Sequence, residues 1–150
     1  MTEAVIGIYG KSNTGKTTLI VDIIKRLSNE GFKIASIKMT DKKIGIDIKG
    51  KDTWKHGEAG AKLVVFSSPN ETDFLLKQSK HISEIIKMLN QIDKFDLILV
   101  EGANDKYIPK IRIGDIDKRE NTILTYSGDF KELIEFLKIN IFGGKNDNKS

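Results

Sequence analysis

Hydrophobic positions along this chain follow two rhythms that take turns. Residues 4–9 (A-V-I-G-I-Y), 33–38 (K-I-A-S-I-K), 63–66 (L-V-V-F), 97–100 (L-I-L-V) and 123–126 (I-L-T-Y) are short apolar runs with the length and composition of strands. Between them, Leu19, Ile20, Ile23, Ile24 and Leu27 recur at helical spacing. Ile82, Ile85, Ile86, Leu89 and Ile92 do the same, as do Leu133, Ile134, Leu137 and Ile141. Gly31 stands where the first helix should end, and Asp129-Phe130-Lys131-Glu132 has the form of a capping box opening the last.

The remaining segments are less regular. Residues 51–61 (K-D-T-W-K-H-G-E-A-G-A) read as a short helix, with Gly57 and Gly60 permitting close backbone approach. Residues 74–76 read as a short strand, and Ile111 and Ile113 alternate with polar neighbours as in an edge or extended strand. Ile44, Ile46 and Ile48 also alternate, inside a segment rich in lysine, aspartate and glycine; a short exposed strand and an ordered loop both fit. Strands alternating with helices predict an α/β domain, a mostly parallel sheet with helices on both faces. The chain of 150 residues is long enough for one such domain over residues 1–142, and the polar residues 143–150 are expected to be a disordered tail.

Residues 10–18 read G-K-S-N-T-G-K-T-T and fit the Walker A pattern G-x-x-x-x-G-K-[ST], with Gly10, Gly15, Lys16 and Thr17 on the fixed positions. A loop bent around small residues turns successive N–H groups inward as a nest for phosphate oxygens, and the following helix adds its positive end. An apolar strand precedes the loop and an amphipathic helix follows it, the context the motif requires. The P-loop NTPase fold and nucleoside triphosphate binding follow, with Gly10, Lys11, Ser12, Asn13, Thr14, Gly15, Lys16, Thr17 and Thr18 around the phosphates. Lys16 would reach the β- and γ-phosphates, and the Thr17 hydroxyl would ligate Mg²⁺. Lys11, five residues before Lys16, has the spacing of the extra lysine in deviant Walker A loops of dimeric ATPases, and equally the character of a solvated loop lysine.

Composition narrows the chemistry. Without cysteine, disulfides, thiolate catalysis and Cys-ligated metals are excluded. His56 and His81 lack metal-ligand spacing. Net charge is +4, from 25 basic and 21 acidic residues, with no block of like charge; this argues against a nucleic-acid surface and suits an anionic nucleotide. No apolar run approaches a membrane span, and a cytoplasmic protein is expected.

The run D-L-I-L-V-E-G, residues 96–102, has the form of a Walker B strand, placing Glu101 at its carboxyl end beside Thr17 as a magnesium contact; Lys16 and Glu101 are the candidate catalytic pair. Asp96 would lie at the opposite end, in a surface turn. Asp41 and Asp47 follow the second strand and could position water or the γ-phosphate, or be solvated. Trp54 and His56 fit a helix packed on the sheet, and Trp54 equally fits stacking on a ring. No [NT]-K-x-D guanine motif occurs, so the residues alone leave GTP and ATP both open.

With these pieces in place, the chain resembles the molybdopterin-guanine dinucleotide biosynthesis protein B (MobB) family. The carrying features are G-K-S-N-T-G-K-T-T-L, the segment I-D-I-K-G-K-D-T-W-K-H-G-E-A-G-A at residues 46–61, D-L-I-L-V-E-G, and P-K-I at 109–111. The family's middle segment reads approximately D-I-D-x-P-G-K-D-S-x-R-H-R-E-A-G-A; Asp47, Gly50, Lys51, Asp52, His56, Glu58, Ala59, Gly60 and Ala61 fall in register. The resemblance implies a GTP-binding accessory protein with weak Mg²⁺-dependent GTPase activity, commonly a homodimer. It would assist the molybdenum cofactor guanylyltransferase, with GTP, Mg²⁺ and molybdopterin as ligands. It also marks Asp47, Lys51, Asp52 and His56 as contacts for the γ-phosphate or a second ligand, to which Asp41 is added only by its position after the second strand. The chain departs from the family at Met39, where a histidine is usual, at residues 40–43, at Lys49 (proline) and at Gly57 (arginine). Two other classes are a P-loop small-molecule kinase or ligase, which needs a closing lid not evident here, and a nucleotide-dependent scaffold without catalysis.

Overall fold

The structure, a computed structural model, describes residues 4–139. In chain order the elements are β1 (Ala4–Gly10), α1 (Lys16–Asn29), β2 (Ile34–Lys38), α2 (Asp52–Glu58), β3 (Leu63–Ser67), β4 (Thr72–Leu76), α3 (Ile82–Ile92), β5 (Leu97–Glu101), β6 (Lys110–Ile113), β7 (Thr122–Thr125) and α4 (Phe130–Leu137). They form two compact units: one holds the chain up to Thr40 and from Leu89 onward, the other holds Asp41–Met88.

The first unit is built on a five-stranded sheet of order β2-β5-β1-β6-β7, every pairing in it parallel. Alternate residues of each strand share a face. Ile6 and Ile8, Leu97 and Leu99, and Ile111 and Ile113 share a core with Leu19, Ile20, Ile23 and Leu27 of α1 and Leu133, Ile134 and Leu137 of α4. The stripes of α1 and α4 therefore face this core, with Ile141 outside the described residues; of the α3 stripe only Ile82 is buried, and Ile92 is exposed. α1 ends as Gly31 suggests: its φ is +89°, and its N–H donates to Ser28 O at 3.0 Å. α4 opens on Asp129, whose carboxylate accepts from the Glu132 N–H at 3.1 Å.

Because β5 and β6 flank β1, the connection 102–109 has to cross β1. It crosses at Gly7, where an added Cβ would lie 2.5 Å from Ala103 Cβ; the missing side chain lets the connection lie directly on the strand. β6 is an interior strand between β1 and β7, so of the two readings, edge or extended strand, the edge is excluded. The polar residues Lys110 and Arg112 suggested a wet face, but both turn their tips onto backbone carbonyls.

In the second unit β3 and β4 pair antiparallel as a separate hairpin, in register Leu63↔Leu76 to Ser67↔Thr72. This corrects the expectation that residues 63–66 add to the parallel sheet. The turn after β3 is too short for a crossover: Ser68 N–H donates to Glu71 O at 3.0 Å, and the Ser68 hydroxyl accepts from the N–H groups of Asn70 and Glu71. Only Val64 of this apolar run is buried. α2 lies against β3, with Trp54 half-buried. No helix among the described residues is long and apolar enough to cross a membrane.

Candidate functional site

The loop between β1 and α1 occupies the carboxyl edge of the parallel sheet, where strand ends leave a crevice for ligands. Its path depends on small residues. A Cβ on Gly10 would stand 2.7 Å from Ile113 O, and Gly15, which caps α1, has φ +88°. Asn13 takes the left-handed conformation too, with φ +63°, one that asparagine tolerates better than most residues. Thr14 closes the bend by donating its hydroxyl to Lys11 O at 2.6 Å. No side chain caps α1, and its first turn carries no acidic residue, so its free N–H groups and dipole face the loop unopposed. Lys11, Ser12, Asn13, Thr14, Gly15, Thr17 and Thr18 are exposed.

Lys16 is half-buried and donates from Nζ to Gly10 O at 2.9 Å, so its ammonium spans the mouth of the loop. Thr17 Oγ1 donates to Glu101 Oε1 at 3.0 Å across a sequence separation of 84 residues. One pairing and one connection produce that meeting: β5 lies beside β1 with Ile8 opposite Glu101, and α1 begins one loop after β1. Lys38, opposite Glu101 on β2, brings Nζ within 3.8 Å of the same oxygen. Gly102 fixes the turn after Glu101: its φ is +81°, and a Cβ there would lie 2.9 Å from Met39 O.

A hydroxyl and a carboxylate oxygen at one point are hard donors of the kind Mg²⁺ takes. Among the described residues no group of three or more His, Asp or Glu could hold a metal. Asp96 sits at the far end of β5, accepting from the Lys33 N–H at 2.8 Å, as a turn residue should.

Asp41, Asp47, Lys51, Asp52 and His56 all belong to the second unit. The last four line a concavity of about 790 Å³, together with Ile46, Ile48, Thr53 and the β3–β4 residues Val65, Phe66, Ser67, Glu71, Asp73 and Leu75. Asp47 points inward. Its Oδ1 accepts from the Ile48 N–H at 2.9 Å and the Thr53 hydroxyl at 3.0 Å; Oδ2 is buried without a hydrogen bond, 3.8 Å from Lys77 Nζ. Lys77 lies across Gly57, where an added Cβ would stand 2.8 Å from Lys77 Cε, so a side chain there would displace the lysine tip.

One set of residues was invisible to spacing. Lys110 is fully buried, and its ammonium donates to the carbonyls of Asp105, Ile108 and Glu120. Burial lowers its pKa from the ordinary lysine value, opposed chiefly by the nearby Asp105 carboxylate. Arg119 lies over the Tyr9 ring at 4.7 Å and donates to Ala103 O at 2.7 Å. The Tyr9 hydroxyl accepts from the Arg119 N–H at 3.0 Å and bonds Thr122 Oγ1 at 2.6 Å. Together these cations stitch the 102–109 connection, which starts beside Glu101, to residues 119–122. The P-K-I tripeptide was the one available signal.

The profile of the family described as "MobB: Molybdopterin guanine dinucleotide synthesis protein B" matches residues 5–135. A "molybdopterin-guanine dinucleotide biosynthesis adapter protein" of Haemophilus influenzae is 33% identical over 108 residues, covering 71% of this chain and 60% of that protein. The Escherichia coli protein of the same description is 33% identical over 103 residues, 67% of this chain and 59% of its own length. The chain therefore spans about 60% of the length of these curated relatives. The crystal structure of Bacillus subtilis MobB superposes with a TM-score of 0.70 at 16% identity, over 89% of this chain and 95% of the other; that likeness is one of fold.

Proposed function

Because the chain belongs to the molybdopterin guanine dinucleotide synthesis protein B (MobB) family, we propose that it is a GTP-binding adapter in the making of molybdopterin guanine dinucleotide. The observation that carries this reading is the meeting of Thr17 and Glu101 at 3.0 Å, at the mouth of a phosphate loop spanned by Lys16. Backbone N–H groups of residues 11–17 and the uncapped α1 hold the phosphates, and Lys16 exchanges its bond to Gly10 O for phosphate oxygens. Thr17 and Glu101 would hold Mg²⁺, which would supply charge neutralisation at the phosphates. Lys38 holds its ammonium 3.8 Å from the Glu101 oxygen that would take part in holding the metal.

Hydrolysis is slow in this reading, since the described site offers Glu101 and Lys16 but no base held against an attacking water. The output is assembly. The chain acts in the cytoplasm as a homodimer and assists the molybdenum cofactor guanylyltransferase, and molybdopterin is a second ligand of that complex. Calorimetric titration of GTP and of ATP, with Mg²⁺, into wild type and Lys16→Ala tests the site. GTP preference is expected in the wild type, with binding lost in the variant. Near-wild-type affinity in Lys16→Ala would sink the site assignment, and ATP preference would favour the kinase class.

A further inference from the structure

The metal end of the nucleotide site fixes where the base end must lie. β1 has two neighbours, β5 and β6, and the meeting of Thr17 with Glu101 marks the β5 side. A triphosphate laid along the loop with its γ end there carries its nucleoside toward β6 and β7, at the carboxyl edge of the sheet. Neighbouring strands stand about 4.8 Å apart, so these two span a distance on the scale of a nucleoside. β1 and β6 end together: Gly10 pairs with Ile113, so the phosphate loop and the turn after β6 leave the sheet side by side. That turn is held in place. Arg112 donates from Nη1 to Ile116 O at 2.7 Å, and the Arg119 N–H donates to the Tyr9 hydroxyl at 3.0 Å. Arg112 and Tyr9 are register partners, which keeps the turn at the carboxyl edge. It carries two exposed carboxylates, Asp115 and Asp117, and neither has a hydrogen bond or ion pair among the described residues. Glu101 and Asp129, by contrast, are engaged by Thr17 and by the first turn of α4.

We propose that the turn over residues 114–118 reads the base of the nucleotide, a carboxylate of Asp115 or Asp117 accepting from guanine. This rests on the GTP-binding reading above and names the groups that set its base preference. An ionised carboxylate only accepts hydrogen bonds. Guanine presents its N1–H and its 2-amino group side by side, two donors for one carboxylate. Adenine presents an amino donor beside the N1 lone pair, which a carboxylate oxygen repels. A turn already pinned before the ligand arrives loses little freedom on binding, so the discrimination is preorganised. The chain thereby supplies the acceptor that the absent [NT]-K-x-D motif would have provided.

The test titrates GTP, inosine triphosphate, xanthosine triphosphate and ATP, each with Mg²⁺, into the full chain. It repeats the series with Asp115→Asn, Asp117→Asn and the double variant. Wild type is expected to bind inosine triphosphate, which lacks the 2-amino group, at least about tenfold more weakly than GTP. One single variant is expected to lose GTP affinity by at least about tenfold while keeping its ATP affinity. The same variant should gain xanthosine triphosphate, whose 2-oxo group pairs with the amide that the substitution introduces. That gain separates base reading from a structural role, which would weaken all four nucleotides alike. GTP preference intact in the double variant, or equal loss of GTP and ATP, would overturn the base site and leave the GTP-binding reading standing. A wild type without preference for GTP over ATP would overturn both.

Discussion

Single residues decide whether the site holds together. Gly102 has a positive φ and faces Met39 O so closely that a methyl group would collide with it. Gly102→Ala is expected to cost about 1–3 kcal/mol, read as a lowered urea midpoint, and to weaken Mg²⁺-dependent nucleotide binding by shifting Glu101. A midpoint equal to wild type would show that the turn relaxes freely. Lys110 is a different case, since its three carbonyl partners are left without their donor if it is removed. Lys110→Met should lower unfolding free energy by about 2–3 kcal/mol, relief of a buried charge offsetting part of a larger loss. An unchanged denaturation curve would mean that water replaces the ammonium. The sequence singled out Lys16 and Thr17 because the loop motif fixes their spacing, and Glu101 because it ends an apolar strand. It hid Lys110 and Arg119 because their partners are backbone carbonyls, which every residue has.

At the scale of elements, hydrophobic period located α1, α3, α4, β1 and β5, and it failed where burial and pattern part company. β6 alternates like an edge strand yet lies inside the sheet, because loops rather than helices cover its polar residues. β3 is as apolar as a buried strand yet forms an exposed hairpin, because a four-residue turn cannot return it to a parallel neighbour. Ion pairs tie elements that the pattern could not join. Lys138, just past α4, reaches Glu30 at the end of α1 at 2.6 Å, and that bond holds the Glu30 pKa below its ordinary 4.5. The Lys33 bond does the same for Asp93, whose ordinary value is 3.8. A carboxylate with a lowered folded pKa adds stability above its unfolded value and loses it as pH falls through the folded one. The melting-temperature gap between wild type and Glu30→Gln should therefore be present at neutral pH and shrink as pH falls below the ordinary value of 4.5, with screening keeping it small. A gap that persists at acid pH would assign the effect to packing instead.

For the whole molecule, burial is uneven. Of the buried hydrophobic residues among those described, only Val64 and Ile82 fall within Asp41–Met88; the rest belong to the unit with the parallel sheet. Protection against hydrogen exchange follows the free energy of local opening, which depends on buried contact. Amides of β3, β4 and α2 should exchange markedly faster than those of β1 and β5, measured by mass spectrometry on the free chain. Equal protection would show that the two units open together.

The sequence by itself determined the Walker A loop, the α/β class and the family resemblance. Each of these is carried by residue type at fixed spacing, and the backbone converts spacing directly into local geometry. Tertiary structure alone decided that Glu101 meets Thr17, that Gly7 yields to the crossing connection, and that residues 41–88 make a unit with its own hairpin. It also decided that Asp47 turns inward while its isoleucine neighbours turn out. Those outcomes depend on which strands pair and which loops have room to return, and side-chain order along the chain does not encode either.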